Sequence, residues 1–368
     1  MSKKILITSV GSLVGQNVLD SLENRRENIL IVGTNSVAGV ANNFRCDKIF
    51  LVSEAAETER FIADLEFVIG LEQPDLIVPG RDDDVVILAQ LRGKMKNLRG
   101  CILTGSVQFA EVMDDKVLSY RFALKHNLPF APTIASGKPE SQAEAQKVLD
   151  EFGFPLIAKP SKGNGSRGIW VVLENSQLNK VLSEPGFSIQ PFFRNKQETT
   201  FSFDTVFGLP FFWEIEENSL YAAQVIIKKN QEIDGIFTFI SKMVRGKCER
   251  MDVCEDEELK KIVVRFAEAA VLEGWTGPFN IQFKKDFKHG FQAIEMNGRF
   301  SGGTSARYFL GFDEVGRIIN DWVGENTIPV DCLPTGNRVV TKILKDYAIN
   351  EQNVDGLVRE RVWSVRQP

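Results

Sequence analysis

The sequence predicts an α/β protein with a parallel-sheet domain at its N-terminus and an α+β region after it. Three observations support this fold class. Short apolar runs alternate with helical patterns over residues 1–105, whereas strands of period two, separated by turn residues, dominate after residue 155. The length of 368 residues also exceeds the usual size of one hydrophobic core, so two or three domains are expected.

The N-terminal third contains four short apolar runs that predict strands: KKILITS, ILIVGT, DLIVPG and CILTG. Helical patterns lie between them, at about residues 16–22, 59–71 and 85–91. Strands and helices that alternate at this spacing indicate a parallel sheet with right-handed crossovers. We therefore expect one α/β domain over residues 1–105.

Two turns of this domain follow strands at the carboxyl edge, where open α/β sheets bind ligands. Residues 11–15 (GSLVG) could hold an anion at a helix N-terminus, but they lack the GxGxxG spacing of a dinucleotide site. A tight turn without a ligand explains them equally well. Residues 79–84 (PGRDDD) could face a ligand, or their acids could simply cap the next helix.

Composition and charge exclude several classes of function. The formal net charge is −5 and no stripe of Lys and Arg stands out, so nucleic acid is not an expected partner. Apolar runs are far shorter than the roughly 20 residues that span a bilayer, so no membrane partner is expected. The apolar stretch of the N-terminal MSKKILITSV is too short for a signal peptide, so a cytoplasmic location is expected.

The strongest local signal is a glycine-rich loop between two predicted strands, LIAKPSKGNGSRGIWVV at residues 156–172. Its glycines allow backbone N–H groups to approach phosphate oxygens, and its cations and hydroxyls add charge and donors. A hairpin loop without a ligand is the alternative. The candidate phosphate-binding residues are Lys159, Ser161, Gly163, Gly165, Ser166, Arg167 and Gly168.

The second signal is FNIQFKKDFKHGFQAIEMNGRF at residues 279–300. Side chains of a strand alternate between faces, so Asn280 and Gln282 share one face, as do Glu295, Asn297 and Arg299. A carboxylate with amide oxygens suits Mg²⁺, and Arg299 could hold a phosphoryl group. The alternative is an ordinary hairpin with solvent-facing polar positions.

These two segments, in this order and at this separation, resemble the ATP-grasp superfamily, and most closely the carbamoyl-phosphate synthetase large subunit. The resemblance extends from the N-terminal domain to about residue 312. It implies a pre-ATP-grasp domain at 1–105, a small ATP-grasp subdomain with the glycine-rich loop at 106–193, a large subdomain with the metal site at 194–330, and a C-terminal extension at 331–368. It also implies ATP and Mg²⁺, or Mn²⁺, as cofactors.

The resemblance assigns roles to single residues. Lys116 and Lys159 match the two cations that reach the ATP phosphates, and residues 161–168 match the mobile loop. Residues 190–193, with Gln190, Pro191 and Phe192, resemble the hinge that meets the adenine, and Glu198 matches the acid that holds the ribose. The sequence departs from the family pattern where Gln190 replaces Glu and Gly298 replaces Pro.

The same resemblance implies a metal set of Gln282, Glu295 and Asn297, with Arg299 at the transferring phosphoryl group. Arg307, in the Gly/Ser/Thr-rich loop that follows, is interpreted as a clamp for the substrate carboxylate, with a surface salt bridge as the alternative.

The implied activity is an ATP-dependent carboxylate–amine ligase that works through an acyl phosphate and releases ADP. A kinase that stops at the phosphorylated acid, a bicarbonate-using carboxylase and a non-catalytic ATP-binding module are the alternatives. The expected partners are a small-molecule carboxylate and an amine, and a homodimer is common among similar ligases. Asp82, Asp83 or solvent could deprotonate the amine, and the segment 221–253 could bind substrate or cross the ATP cleft.

Overall fold

The computed structural model describes residues 2–95, 100–163, 168–193, 220–244, 247–330, 336, 338–343 and 345–365. Within these ranges the chain forms three β-sheets with helices packed against them. The helices are α1 (Leu13–Leu22), α2 (Thr58–Glu72), α3 (Asp82–Lys94), α4 (Val107–Asp114), α5 (Lys116–Lys125), α6 (Ser141–Phe152), α7 (Asn175–Ser183), α8 (Glu257–Leu272), α9 (Thr304–Phe309), α10 (Glu314–Val323) and α11 (Glu351–Glu360).

The first sheet is largely parallel, as the alternation of strands and helices predicts. Its strands are β1 (Lys3–Ile7), β2 (Ile29–Asn35), β3 (Lys48–Leu51), β4 (Leu76–Val78) and β15 (Val362–Ser364), in the order β15-β3-β2-β1-β4. The first four strands are parallel, and β15 is antiparallel to β3. Strand β3 was not among the predicted strands, and the predicted strand CILTG forms only a single bridge, between Ile77 and Ile102.

The second sheet carries the glycine-rich loop. It has four antiparallel strands in the order β5-β8-β6-β7, namely β5 (Ile134–Ala135), β6 (Leu156–Pro160), β7 (Trp170–Val172) and β8 (Phe187–Pro191). Helices α6 and α7 cover one side, where Ala145, Val148, Leu178 and Leu182 form a core with the strands. The glycine-rich loop therefore begins at the end of a strand that is held in place by a hydrophobic core.

The third sheet holds the candidate metal face. It contains β9 (Leu220–Ile227), β10 (Ile233–Val244), β11 (Lys247–Val253), β12 (Gly277–Asp286), β13 (Gly290–Asn297) and β14 (Val339–Thr341), in the order β13-β12-β9-β10-β11-β14. The pairings that link these strands are antiparallel. The segment 221–253, whose role the sequence left open, thus supplies the strands at the centre of this sheet.

One face of the third sheet packs against α4, α5 and α8. The main core joins aromatic side chains from both layers, including Phe109, Phe122, Phe266, Phe279 and Phe283. Because alternate strand residues point to opposite faces, the neighbours of these aromatics along β12 must lie on the other side. That other side faces the first sheet and α10, where Phe300, Phe312 and Ile226 contact the core of the N-terminal domain.

Local capping sets where the helices near the site begin. Side-chain oxygens of Ser12, Ser106, Asp115 and Asp256 accept hydrogen bonds from backbone N–H groups in the first turns of α1, α4, α5 and α8. Such caps satisfy donors that have no partner inside the helix. In the part of the chain that the structure describes, every helix is too short or too polar to cross a membrane.

Candidate active site

The register of β12 and β13 brings the predicted metal ligands to one face. Gln282 lies directly opposite Glu295, and Asn280 lies opposite Asn297. Opposed residues of antiparallel strands point to the same side, so all four polar side chains share the face away from α8. The shared faces predicted for Asn280 with Gln282 and for Glu295 with Asn297 are therefore confirmed, while the role of these residues as ligands stays a prediction.

Arg299 lies directly beyond this face and pairs with the N-terminal domain. Its Nη2 donates to Asp82 Oδ2 at 2.6 Å and to Asn297 Oδ1 at 3.3 Å, and its Nη1 donates to the Phe300 carbonyl at 3.0 Å. Its Nε lies 2.6 Å from Asp82 Oδ1, although the N–H is not aligned for a hydrogen bond. The candidate phosphoryl cation thus adjoins a candidate metal ligand and contacts an acid from α3.

The start of the glycine-rich loop is fixed to the start of α5. Lys116, which is 6% exposed, donates from Nζ to the Gly163 carbonyl at 3.2 Å, and its backbone N–H donates to the Ser161 carbonyl at 3.2 Å. Gly163 and Gly168 have φ of +120° and +70°, a region that favours glycine. The structure thus places two of the predicted phosphate-binding residues, Lys116 and Gly163, in contact.

Lys159 and Gln190 connect the loop strand with the third sheet. Lys159 Nζ donates to Gln190 Oε1 at 2.9 Å, and Gln190 Nε2 donates to Thr133 Oγ1 at 2.9 Å and to the Ile294 carbonyl at 3.3 Å. Gln190 is buried. An ionised Glu here could accept from the lysine but could not donate to the other two oxygens. The departure from the family pattern therefore has a local reason.

The other hinge residues follow at the end of β8. Pro191 closes the strand opposite Leu156, and the Phe192 N–H donates to the Pro155 carbonyl at 3.3 Å. The remaining predicted nucleotide contacts, Gly165, Ser166 and Glu198, lie outside the described residues, as does Arg167.

Arg307 is an interior residue, so the alternative of a surface salt bridge was wrong, while its role as a clamp stays a prediction. Its side chain is 0% exposed, and its Nη2 lies 2.5 Å from Glu314 Oε1, which its Nε also contacts at 3.1 Å. The same Nη2 donates to Gln224 Oε1 at 3.1 Å and to the hydroxyls of Ser301 and Thr304 at 3.0 Å. A role as a substrate clamp would require Glu314 to be displaced.

The acidic run at the start of α3 has three different environments. Asp82 pairs with Arg299, and Asp84 is buried, accepting from the hydroxyls of Thr8 at 2.6 Å and Ser9 at 3.0 Å. Burial raises the pKa of Asp84 to about 6, against the effect of those hydrogen bonds. Burial, followed by the charges of Asp114 and Asp82, also raises the pKa of Asp83. The run is therefore more than a helix cap.

Sequence reasoning missed Gln224 and assigned Asp82 only a speculative role. Gln224 is fully buried on β9, where its Oε1 accepts from Asn280 Nδ2 at 3.1 Å as well as from Arg307. It is the one strongly polar residue in the interior of LYAAQVII, and an isolated polar side chain in a buried strand is the signal that could have found it. The pairing of Asp82 joins residues far apart in sequence and left no local signal.

The residues of the metal face fit a hard divalent cation. Gln282 and Glu295 are half-buried, and Asn297 is buried with no hydrogen-bond partner for its Nδ2 within the described part of the chain. One carboxylate with two amide oxygens suits Mg²⁺, which takes the rest of its shell from water and phosphate, and Mn²⁺ accepts the same donors. No group of three or more His, Cys, Asp or Glu side chains that could hold a metal occurs among those residues.

The architecture is that of the ATP-grasp fold. It combines a parallel-sheet domain, a small sheet that carries the glycine-rich loop, and a larger sheet with the polar strand pair β12 and β13. The model of the carbamoyl-phosphate synthase L chain ATP-binding domain matches residues 115–197. The carbamoyl phosphate synthase large chain of Thermotoga petrophila is 23% identical over 321 residues, which cover 82% of this chain and 28% of that protein. A pyruvate carboxylase of Pichia angusta is 35% identical over 68 residues, 18% of this chain and 6% of that protein.

Solved structures show the same fold. N5-carboxyaminoimidazole synthetase from Staphylococcus aureus, in complex with ADP, has a TM-score of 0.65 and 13% identity, with 93% of this chain and 81% of that chain covered. Biotin carboxylase from Campylobacter jejuni has a TM-score of 0.61 and 18% identity, with 89% of this chain and 73% of that chain covered. The chain therefore has the ATP-grasp fold. It spans between 6% and 28% of the length of the curated relatives named above.

Proposed function

We propose that the chain is an ATP-dependent carboxylate–amine ligase that activates its acid substrate as an acyl phosphate. The observation that carries the proposal is the polar face of β12 and β13. Gln282, Glu295 and Asn297 share that face, and the Arg299 guanidinium lies 3.3 Å from the Asn297 oxygen. Oxygen ligands beside a buried cation are the groups that transfer of a phosphoryl group from ATP requires.

Each part of the site has one task in this mechanism. Lys116 and Lys159 neutralise phosphate charge from the loop side, and Arg299 binds the oxygens of the transferring γ-phosphoryl group. Gln282, Glu295 and Asn297 would hold Mg²⁺, which supplies charge neutralisation at the phosphates. The substrate carboxylate attacks the γ-phosphorus in line, ADP leaves, and the amine then displaces phosphate from the acyl phosphate.

The glycine-rich loop protects the intermediate in this scheme. An acyl phosphate is hydrolysed by water, so the loop must cover it while the amine reacts. Lys116 contacts the loop backbone at Gly163, and the loop residue Lys162 lies 2.7 Å from Asp114. These contacts support a loop that rests on the α4–α5 junction when it covers the nucleotide.

Carboxylation with bicarbonate as the acid is the second candidate, because several of the matched proteins are carboxylases or carboxyamino-forming synthetases by name. Both reactions share the phosphorylation step and differ in the acid. The small-molecule carboxylate and amine, the possible homodimer and the roles of Gly165, Ser166 and Glu198 stay predictions.

The test is ADP release with Mg²⁺-ATP against pools of carboxylates, bicarbonate and amines. We expect turnover that requires both an acid and an amine, and a loss of about 100-fold or more in Glu295→Ala and in Lys159→Ala, which remove a metal ligand and a phosphate cation. Lys180→Ala on α7 and Glu268→Ala on α8 change exposed residues of the same charge and should keep wild-type activity.

Other outcomes point to the alternatives. Turnover with acid alone indicates a kinase, and turnover that depends on bicarbonate indicates a carboxylase. Tight ATP binding without metal and without turnover contradicts an enzyme and supports a nucleotide-binding module.

A further inference from the structure

The guanidinium of Arg299 is already engaged by a carboxylate. Two of its nitrogens lie 2.6 Å from the two oxygens of Asp82, and the third donates to the Phe300 carbonyl. A planar fork facing two oxygens is also the way in which arginine binds a phosphoryl group. Asp82 therefore already occupies the Nε and Nη2 edge of the guanidinium to which the proposed mechanism assigns the γ-phosphoryl group.

The surroundings make this pairing strong. The side chains of Arg299 and Asp82 are only 11% and 14% exposed, so solvent screens their attraction weakly. Burial opposes the charged guanidinium, but Asp82 and, to a smaller extent, Glu295 outweigh it, and the pKa of Arg299 is raised. An arginine neutralised in this way contributes little positive charge to a reacting phosphate while the pair persists.

We propose that Asp82 is a positioning residue that holds the Arg299 guanidinium until the γ-phosphoryl group of ATP displaces it. This inference rests on the proposed function, in which Arg299 binds that group. Carboxylate and γ-phosphate compete for the same donors, so Asp82 lowers the affinity for nucleotides that carry a γ-phosphate. ADP has no such group and leaves the pair intact.

The Asp82–Arg299 pair also links two parts of the protein. Asp82 is the first residue of α3 in the N-terminal domain, whereas Arg299 follows β13 of the third sheet. The exchange therefore breaks a contact between two parts of the protein whenever the γ-phosphate arrives. It also frees a carboxylate at the carboxyl edge of the first sheet.

The experiment compares two nucleotides by calorimetry, each with Mg²⁺: the non-hydrolysable β,γ-imido analogue of ATP, and ADP. In Asp82→Asn we expect the analogue to bind about 10-fold more tightly than in wild type, since a neutral amide competes less well for the guanidinium. The affinity for ADP should change less than about twofold. The readout requires neither the acid nor the amine.

The matched control is Asp313→Asn. Asp313 forms a 2.6 Å ion pair with Arg25 that is even more buried than the Arg299–Asp82 pair and also joins the N-terminal domain to a later helix. It involves none of the proposed site residues. This variant should lose stability without changing the affinity ratio of the two nucleotides. A purely structural role for Asp82 predicts the same behaviour in Asp82→Asn.

Unchanged or weaker binding of the analogue to Asp82→Asn, or equal tightening for ADP, would overturn the inference while leaving the proposed function intact. A wild type that binds neither nucleotide would overturn both. If thermal denaturation shows that Asp82→Asn is unfolded, Asp82→Ser replaces it, because a hydroxyl and the space for water solvate the guanidinium. The expected ratio is the same.

Discussion

Arg299 and Arg307, two buried arginines that follow β13, differ in where their acidic partners come from. Arg299 pairs with Asp82 from the N-terminal domain, at the border of the polar strand face. Arg307 pairs with Glu314 from the next helix of its own segment and is fully enclosed, with Gln224, Ser301 and Thr304 as further partners. Both are charges paired in the interior, but only the first lies where a ligand could replace its partner.

The difference shows that burial alone does not separate a structural cation from a functional one. Arg307 lies on α9, and its partners come from the turn before that helix, from α9 itself, from α10 and from β9. The arginine therefore fixes the shape of the Gly/Ser/Thr-rich turn. Burial raises the pKa of the Glu314 carboxyl, and the charge of Arg307 opposes that shift. The arginine thus stabilises the charged form of a fully buried acid. The partner of Arg299 belongs to α3 of the N-terminal domain, and we propose that a phosphoryl group can replace it.

Breaking the interior pair should have the largest effect. Arg307→Met leaves Glu314 as a buried carboxylate without its cation, and loss of one partner of such a pair costs about 3–5 kcal/mol. Urea denaturation should show this decrease in the free energy of unfolding.

A double variant separates the charge effect from packing. Arg307→Met with Glu314→Leu removes both charges and should recover much of the loss, as replacement of buried pairs by apolar residues often does. A single variant that loses less than about 1 kcal/mol would contradict the interpretation of Arg307 as a structural cation.

Asp84 differs from Asp82 and Glu314 because its carboxylate accepts hydrogen bonds from the neutral hydroxyls of Thr8 and Ser9 and, among the described residues, has no cation as a hydrogen-bond partner. Its folded-state pKa of about 6 lies above the ordinary value of 3.8, so the folded protein binds this proton more tightly than the unfolded chain. Stability from this group is therefore fully present below about pH 4 and falls as the pH rises through about 6. The decrease amounts to about 3 kcal/mol for a shift of about two pH units.

Asp84→Asn should remove this part of the pH dependence. Urea denaturation of wild type and variant between pH 4 and pH 7 should show a slope in the wild type that is much smaller in the variant. Equal slopes would mean that Asp84 keeps its ordinary pKa in the folded protein.

The smallest effect belongs to the exposed ion pair of the glycine-rich loop. Lys162 is 66% exposed, and the hydrogen bond to Asp114 raises its pKa. Solvent screens such pairs, so Lys162→Ala should change the free energy of unfolding by less than about 1 kcal/mol. A loss comparable to that of Arg307→Met would show that the loop contact stabilises the whole fold.

Local patterns were sufficient for much of the fold. The period-two alternation of FNIQF and FQAIEMN correctly placed Gln282 and Glu295 on one face, because side-chain direction in a strand depends only on position. The alternation of strands and helices likewise identified the parallel sheet.

Features that depend on distant contacts were not predictable. The enclosure of Arg307 depends partly on Gln224, which lies 83 positions away in a segment whose role the sequence left open. The Asp82–Arg299 pair joins residues separated by 217 positions. One sequence contains no record of which strands become neighbours, so neither pairing left a local pattern.

Strands β14 and β15 affect the order in which the sheets can be completed during synthesis on the ribosome. Residues 339–341 add β14 to the third sheet, and residues 362–364 add β15 to the open edge of β3 in the first. The first domain can emerge from the ribosome early, yet its edge strand stays unpaired until the residues of β15 have been synthesised. An unpaired edge is where sheets of different chains associate, so this edge is open to such pairing during the interval between the two events.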